Sequence, residues 1–362
     1  MMSMFEKKMQ VLELILCLFR KTNRIPPHVF GSNSIKNIVI INNKRLGDFL
    51  FCTPAIRAIK EQSPKSNIIV VTSKQNAGLI GETEFIDEVY FMENSFSDAI
   101  KVGRKLHSRR PEVGIVFHSK SPYDLIALTI TGAYCLLKHY FGNERKVLLN
   151  VCDSYVFGGG LPPVINDLEL VKKLGFVSEA PEMFFPSKVP AKKTQKLRVG
   201  IQLGASGKDR FFPAKTASEV VQIIITEHPE MEFYLFGVQQ EAVLGDELSE
   251  MLDMGSKSNV FNLIGKTSIN QLAEEINNVA VLITPDTGCL HIATALKTKT
   301  VSLFVQRQKN ASVPQQDPEK HRVLYAADYS RPDNAFNDGS RLASIPAEKI
   351  VESVMVLMDV EN

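Results

Sequence analysis

The sequence predicts an α/β protein built from two Rossmann-like domains with parallel sheets facing a central cleft. Three observations carry that reading. Short apolar segments of strand length alternate with stretches whose apolar residues recur every three or four positions, the pattern of a parallel sheet covered by helices on both faces. The alternation stops in a segment rich in proline and glycine, and then starts again. A chain of 362 residues is also long for one core, so two domains are the default.

The elements follow in order. In "FEKKMQVLELILCLFRKTNRIPP", Phe5, Met9, Leu12, Leu16 and Phe19 fall at helical spacing, with Lys7, Lys8, Arg20, Lys21 and Arg24 around them. No small-residue cleavage site follows the apolar run, which excludes a signal peptide reading. Two readings stay open: a helix packed on the domain surface, or a basic amphipathic helix lying on an anionic membrane face. From Ile35, "NIVIIN", "NIIVVT", "IDEVYFM" and "VGIVFH" read as strands, and "DFLFCTPAIRAIKEQ", "SFSDAIKVGRKLH" and "SPYDLIALTITG" as helices. Asp153 to Lys196 reads as a linker with one helix, "INDLELVKKLG", because it holds Gly158, Gly159, Gly160, Pro162, Pro163, Pro181, Pro186 and Pro190. Strands then resume with "LRVGIQLG", "EFYLFG", "NVFNLIG", "VAVLITP" and "KTVSLF", and "PAEKIVESVMVLM" is the last helix. The expected division is 1–34 for the amphipathic helix and lead-in, 35–185 and 186–335 for the two Rossmann-like domains, and 336–362 for a tail and helix.

Composition narrows the function classes. A hydrophobic fraction of 44% and a charged fraction of 23% are those of an ordinary globular protein. The net charge of +2 excludes a global nucleic-acid signature. Cys17, Cys52, Cys135, Cys152 and Cys289 form no CxxC pair and read as reduced, mostly core residues of a cytosolic protein. No apolar run approaches the ~20 residues that span a bilayer.

Ligands of doubly wound sheets bind beyond the carboxyl ends of strands, so the loops there hold the candidate chemistry. In "INNKRLGDFLFCTPA", Gly47 allows a sharp turn, and Asp48 is either a helix cap or a carboxylate able to take a proton from an attacking hydroxyl. In "QLGASGKDRFFPAK", Gly204, Ala205, Ser206 and Gly207 let the backbone approach a ligand closely, and Lys208 and Arg210 bring positive charge. This is a plausible phosphate cradle, though not a P-loop. In "ITPDTGCLHIATALKTKTVSLF", Asp286 or Thr287 can cap a helix. The N–H groups of Thr287 and Gly288 can instead receive a diphosphate, with His291 one turn in.

The three loops, in this order, resemble glycosyltransferase family 9, the ADP-heptose:lipopolysaccharide heptosyltransferases. "KRLGD", "GAS" with the following Arg210 and Pro213, and "DTGCLH" carry the resemblance, which runs from about Ile35 to Phe304. It implies a GT-B fold, a nucleotide-sugar donor on the second domain and an acceptor on the first. It makes Asp48 the catalytic base, and Ser206, Arg210, Asp286, Thr287, Gly288 and His291 donor contacts, and the charge of Lys208 in the same loop adds it to the donor set. Arg45 and Lys120 become acceptor contacts. Leu203 and Phe212 stand where the family usually has histidine and tryptophan, and Val305 where it has glycine after the last strand.

The function implied is inverting transfer of a heptose or related sugar from a nucleotide diphosphate, ADP-heptose by the resemblance, to a lipopolysaccharide core or related anionic, lipid-linked glycan. No Asp-x-Asp triplet occurs, so neither a metal nor another cofactor is expected. The expected location is the cytoplasm of a Gram-negative bacterium, with a peripheral position on the inner membrane as a further reading. Two alternatives share the fold: a sugar-nucleotide 2-epimerase, and a non-catalytic nucleotide-sugar binder.

Overall fold

A computed structural model of the chain describes residues 4–20, 24–30, 35–119, 121–142, 149–191, 197–307, 312–329 and 339–359. The chain divides into two compact units, Met1–Ser187 and Lys188–Asn362.

In the first unit the strands are β1 (Asn37–Asn42), β2 (Asn67–Thr72), β3 (Glu88–Phe91), β4 (Val113–Val116), β5 (Cys135–Tyr140) and β6 (Ser154–Phe157). They form one parallel sheet in the order β3-β2-β1-β4-β5-β6. In the second unit they are β7 (Arg198–Gln202), β8 (Glu232–Phe236), β9 (Val260–Asn262), β10 (Val281–Pro285), β11 (Lys299–Phe304) and β12 (His321–Tyr325). Their order, β12-β11-β10-β7-β8-β9, repeats the first sheet's order read from the other edge. The expectation of two parallel α/β sheets holds. Each sheet is buried between helices. Val39, Ile41, Ile69, Val71 and Val116 face Leu106, Leu125 and Leu128 in the first core. Val199, Ile201, Phe233, Val281 and Val301 face Val220, Ile224, Ile350 and Val354 in the second.

Four elements depart from the sequence reading. The helix expected over "DFLFCTPAIRAIKEQ" is split into Leu46–Phe51 and Thr53–Gln62. Pro54 has no N–H to give the Leu50 carbonyl, and the Thr53 hydroxyl donates to it instead at 2.7 Å. The stretch read as linker supplies β6 and the helix Pro163–Lys172, both in the first unit. Strand β5 carries Lys138 and His139, and β12 carries His321 and Arg322, so neither shows the apolar run of the other strands.

The helix Met4–Phe19 is part of the first unit's core rather than a lead-in. Leu12 and Leu16 are buried against the helix Pro122–Thr131. Arg20 donates to the carbonyls of Val151 (2.8 Å) and Ala133 (2.9 Å) and pairs with the buried Asp153. Arg24 meets the same carboxylate at 2.6 Å. Two cations read from the sequence as surface charge therefore tie the N-terminal helix to the sheet. Burial lowers the Arg20 guanidinium below its usual range, against the opposing pull of Asp153. Leu16→Ala should destabilise the first unit by about 2–5 kcal/mol, the range for truncating a buried leucine. Urea unfolding of the full chain measures it, and a change below about 0.5 kcal/mol would mean the helix is only laid on the surface.

Candidate functional site

Strand order reverses beside β1 in one sheet and beside β7 in the other. Parallel sheets place ligands outside the carboxyl ends at such a switch point. The strands flanking the two switch points are β1 and β4, and β7 and β10. The loops singled out in the sequence follow β1, β7 and β10.

In the first unit Arg45 is the N-cap of the helix Leu46–Phe51, exposed and without a capping side-chain bond. Asp48 lies in the first turn and is not the cap. Its carbonyl accepts from Asn42 Nδ2 at 2.8 Å, which pins this turn to the buried end of β1. Lys120, the other acceptor candidate, lies outside the described residues.

In the second unit β7 and β10 are neighbours, so the loops after them leave the sheet side by side. Cys289 Sγ donates to Gln202 Oε1 at 3.1 Å and joins the two loops. Lys208–Arg210 form one 3-10 turn, with Lys208 exposed and Arg210 donating to the Ser206 hydroxyl. Thr287, not Asp286, is the N-cap of the helix Gly288–Ala295. Its hydroxyl turns to Thr284 Oγ1 at 3.1 Å, so no side chain caps the first turn. His291 is buried one turn in, with Nε2 3.8 Å from Asp286 Oδ1. The structure thus brings Ser206, Lys208, Arg210, Asp286, Thr287, Gly288 and His291 to one edge of one sheet. Leu203 and Phe212 belong to the core beneath them.

Gly204 leaves room for the Glu241 carboxylate, which a Cβ at that position would have to displace. Glu241, beyond the end of β8, accepts from Gln202 Nε2 (3.1 Å) and Val238 N (3.0 Å). The sequence reading did not find this carboxylate. Beyond β11, Arg307 pairs with Asp328 at 2.7 Å and lies 4.5 Å over the Tyr325 ring.

The first unit holds a second group that the sequence reading missed. His118, Asp167 and His139 stand together at the ends of β4 and β5 and on the helix Pro163–Lys172, with their ligating atoms within 4.8 Å of one another. These are metal-ligand residue types. However, His139 Nδ1 accepts from the His118 N–H at 3.2 Å, and its Nε2 lies 3.1 Å from the Asn166 carbonyl, so both ring nitrogens are in use. Burial lowers the His139 imidazole to about 4, so it is neutral. For His118 burial pulls the same way, but the adjacent Asp167 carboxylate prevails and the net direction is upward. Near this cluster, burial raises Asp124 to about 6, against the bond from Ser119 and the charges of Lys44 and Lys138.

Residues 178–329 match the profile of glycosyltransferase family 9 (heptosyltransferase). Lipooligosaccharide heptosyltransferase 2 of Campylobacter jejuni is 27% identical, covering 72% of this chain and 78% of its own. Over that stretch the chain is similar to glycosyltransferase family 9, and this relative extends the likeness to most of its length. A family 9 glycosyl transferase from Veillonella parvula superposes on this chain with a TM-score of 0.78 at 15% identity, covering 91% of this chain and 99% of that one. E. coli ADP-heptose lps heptosyltransferase II gives 0.73 at 18%, covering 90% and 100%. At these identities the two structures speak for the fold, which is GT-B.

Asp124 gives the enzyme a pH signature. A carboxyl raised to about 6 from 3.8 holds its proton more tightly when folded. The stability it contributes is full below the unfolded value and is lost as pH rises through 6. Asp124→Asn stays neutral, so it should match the parent near pH 4 and gain up to about 3 kcal/mol by pH 7.5. Chemical unfolding at the two pH values checks this, and equal effects at both would remove the assignment.

Proposed function

We propose that this protein is a family 9 glycosyltransferase that moves a heptose, or a related sugar, from ADP-heptose to a lipopolysaccharide core or related glycan, with inversion. The observation that carries the proposal is the grouping of Asp286, Thr287, Gly288, His291, Lys208 and Arg210 at the second sheet's switch point, on an uncapped helix start. The relative's name, lipooligosaccharide heptosyltransferase 2, supports the sugar and the acceptor, and the E. coli structure's ADP-heptose supports the donor. We assign the acceptor to the first domain, residues 35–185, with Arg45 and Lys120 as its contacts, and the donor to residues 186–335.

Asp48 takes the proton of the acceptor hydroxyl as that oxygen bonds to the anomeric carbon. The anomeric bond to the diphosphate breaks on the opposite face, which inverts the centre. The leaving ADP is met by the N–H groups of Thr287 and Gly288, by Lys208 and Arg210, and by His291. Ser206 and Asp286 offer hydrogen bonds to the sugar nucleotide. These groups supply the charge compensation that a metal ion gives in enzymes with an Asp-x-Asp triplet, so we assign no metal to the step. With ADP-heptose as donor and EDTA present, Asp48→Ala should turn over ~10²- to 10⁴-fold more slowly while binding ADP as the parent does. Parent-like turnover in the variant would remove Asp48 as base, and a parent rate that collapses in EDTA and returns with Mn²⁺ would remove the metal-free step.

We further propose that the enzyme works at the cytoplasmic face of the inner membrane of a Gram-negative bacterium. No helix among the described residues is long and apolar enough to cross a membrane. The helix Met4–Phe19 buries Leu12 and Leu16 but leaves Val11 (57%), Leu14 (61%) and Leu18 (73%) exposed along another face. The same stretch of sequence carries Lys7, Lys8 and Lys21, and an apolar stripe within a basic segment is the composition of an interfacial helix. Leu14→Glu with Leu18→Glu should cut binding to phosphatidylglycerol-containing vesicles at least tenfold and leave the melting temperature unchanged. Full vesicle binding by this variant would overturn the assignment. Truncation of residues 1–24 is not a fair test, because it also removes Leu12, Leu16 and the two arginines on Asp153.

A further inference from the structure

The buried His118–Asp167 pair has no part in the chemistry derived so far, yet it lies beside the Asp48 turn. Asp167 is fully buried on the helix Pro163–Lys172, which packs against both halves of the split helix whose first turn carries Asp48. Among the described residues neither of its carboxylate oxygens has an aligned hydrogen-bond donor. A bare carboxylate in such a place is costly unless a charge sits against it. His118 Nε2 lies against it, 2.9 Å from Asp167 Oδ1.

Several features hold the imidazole there. His118 adopts left-handed backbone, φ 49°, a conformation unusual for a residue with a side chain. Its ring stacks on neutral His139 at 4.7 Å and 26°, and Asp167 and the Pro163 backbone both favour its protonated form. The Asp48 carboxylate also acts on this imidazole through its charge.

We propose that His118 is a positioning residue for the reaction at Asp48: an internal imidazolium that neutralises Asp167, so that the Asp48 turn rests on a balanced pair rather than on a second bare carboxylate. This rests on the reading of Asp48 as base. The other titratable and charged groups around the pair are His139 and Lys138 on β5, Asp124 with Lys44 nearby, and Cys52 at the helix break. His139 is neutral, and burial drives the Cys52 thiol well above its ordinary value. Neither can replace the charge on His118 near neutral pH.

The test measures the coupling and the chemistry separately. In the full-length protein, the His118 Cε1–H resonance should titrate above the free-histidine value of about 6.5. It should fall by half a unit or more in Asp48→Asn and further in Asp167→Asn. His118→Asn removes the charge with the residue that best tolerates left-handed backbone. Its acid limb of kcat/KM should move up by about one pH unit, with the alkaline plateau kept. Adding Asp167→Asn to that variant should bring the limb back, which no purely structural defect would do. A His118 titration unchanged by Asp48→Asn, or an acid limb that stays shifted in the double variant, overturns the inference. If instead the titration responds but Asp48→Ala still turns over, the electrostatic coupling stands and the catalytic role of Asp48 falls.

Discussion

A parallel sheet covered on both faces leaves its strands no polar surface, and the rest of this molecule follows from that constraint. Side chains along β1, β4, β7 and β10 are committed to the two cores, so chemistry is confined to the carboxyl ends of the strands. Where neighbouring strands send their helices to opposite faces, the loops part and their N–H groups stay reachable. Both units repeat this arrangement with one strand order. Asp48 on one and the Asp286–His291 segment on the other are thus products of the same geometry.

That constraint also explains what could be read from the sequence. Buried parallel strands are apolar runs, so "NIVIIN", "NIIVVT" and "KTVSLF" announced themselves, and the loops that follow such runs are where a site belongs. Strand β5 was hidden by Lys138 and His139, and β12 by His321 and Arg322, because a charged residue inside a strand mimics a loop. Strand β6 was hidden by its place at the sheet edge, where half-buried and exposed positions alternate and glycines and prolines follow. The Asp153 to Lys196 stretch therefore looked like a linker although it supplies a strand and a helix.

The site shows the same division. Single loops keep their residues adjacent in sequence, so the donor-side segment was legible. The His118–Asp167–His139 group draws on two strands and a helix, and only the tertiary fold brings these residues together. One signal was present in each case: a histidine closing "VGIVFH", a histidine inside "CLLKHY", and an acid on the otherwise apolar face of "INDLELVKKLG". Each is unremarkable alone. Glu241 was equally hidden, since it reaches Gly204 from another loop.

The N-terminal helix has a mechanical consequence. Its inner face packs on the helix Pro122–Thr131 through Leu12 and Leu16, and its end is tied through Arg20 to carbonyls beside β5. A 16-residue helix is about 24 Å long, so it is a stiff lever with no compliant joint between its outer stripe and the strands. Whatever surface engages Val11, Leu14 and Leu18 would fix the tilt and height of the whole first unit. The elevation of the Asp48 turn above that surface would then be a constant of the architecture, and an acceptor anchored in the surface would have to be long enough to reach it.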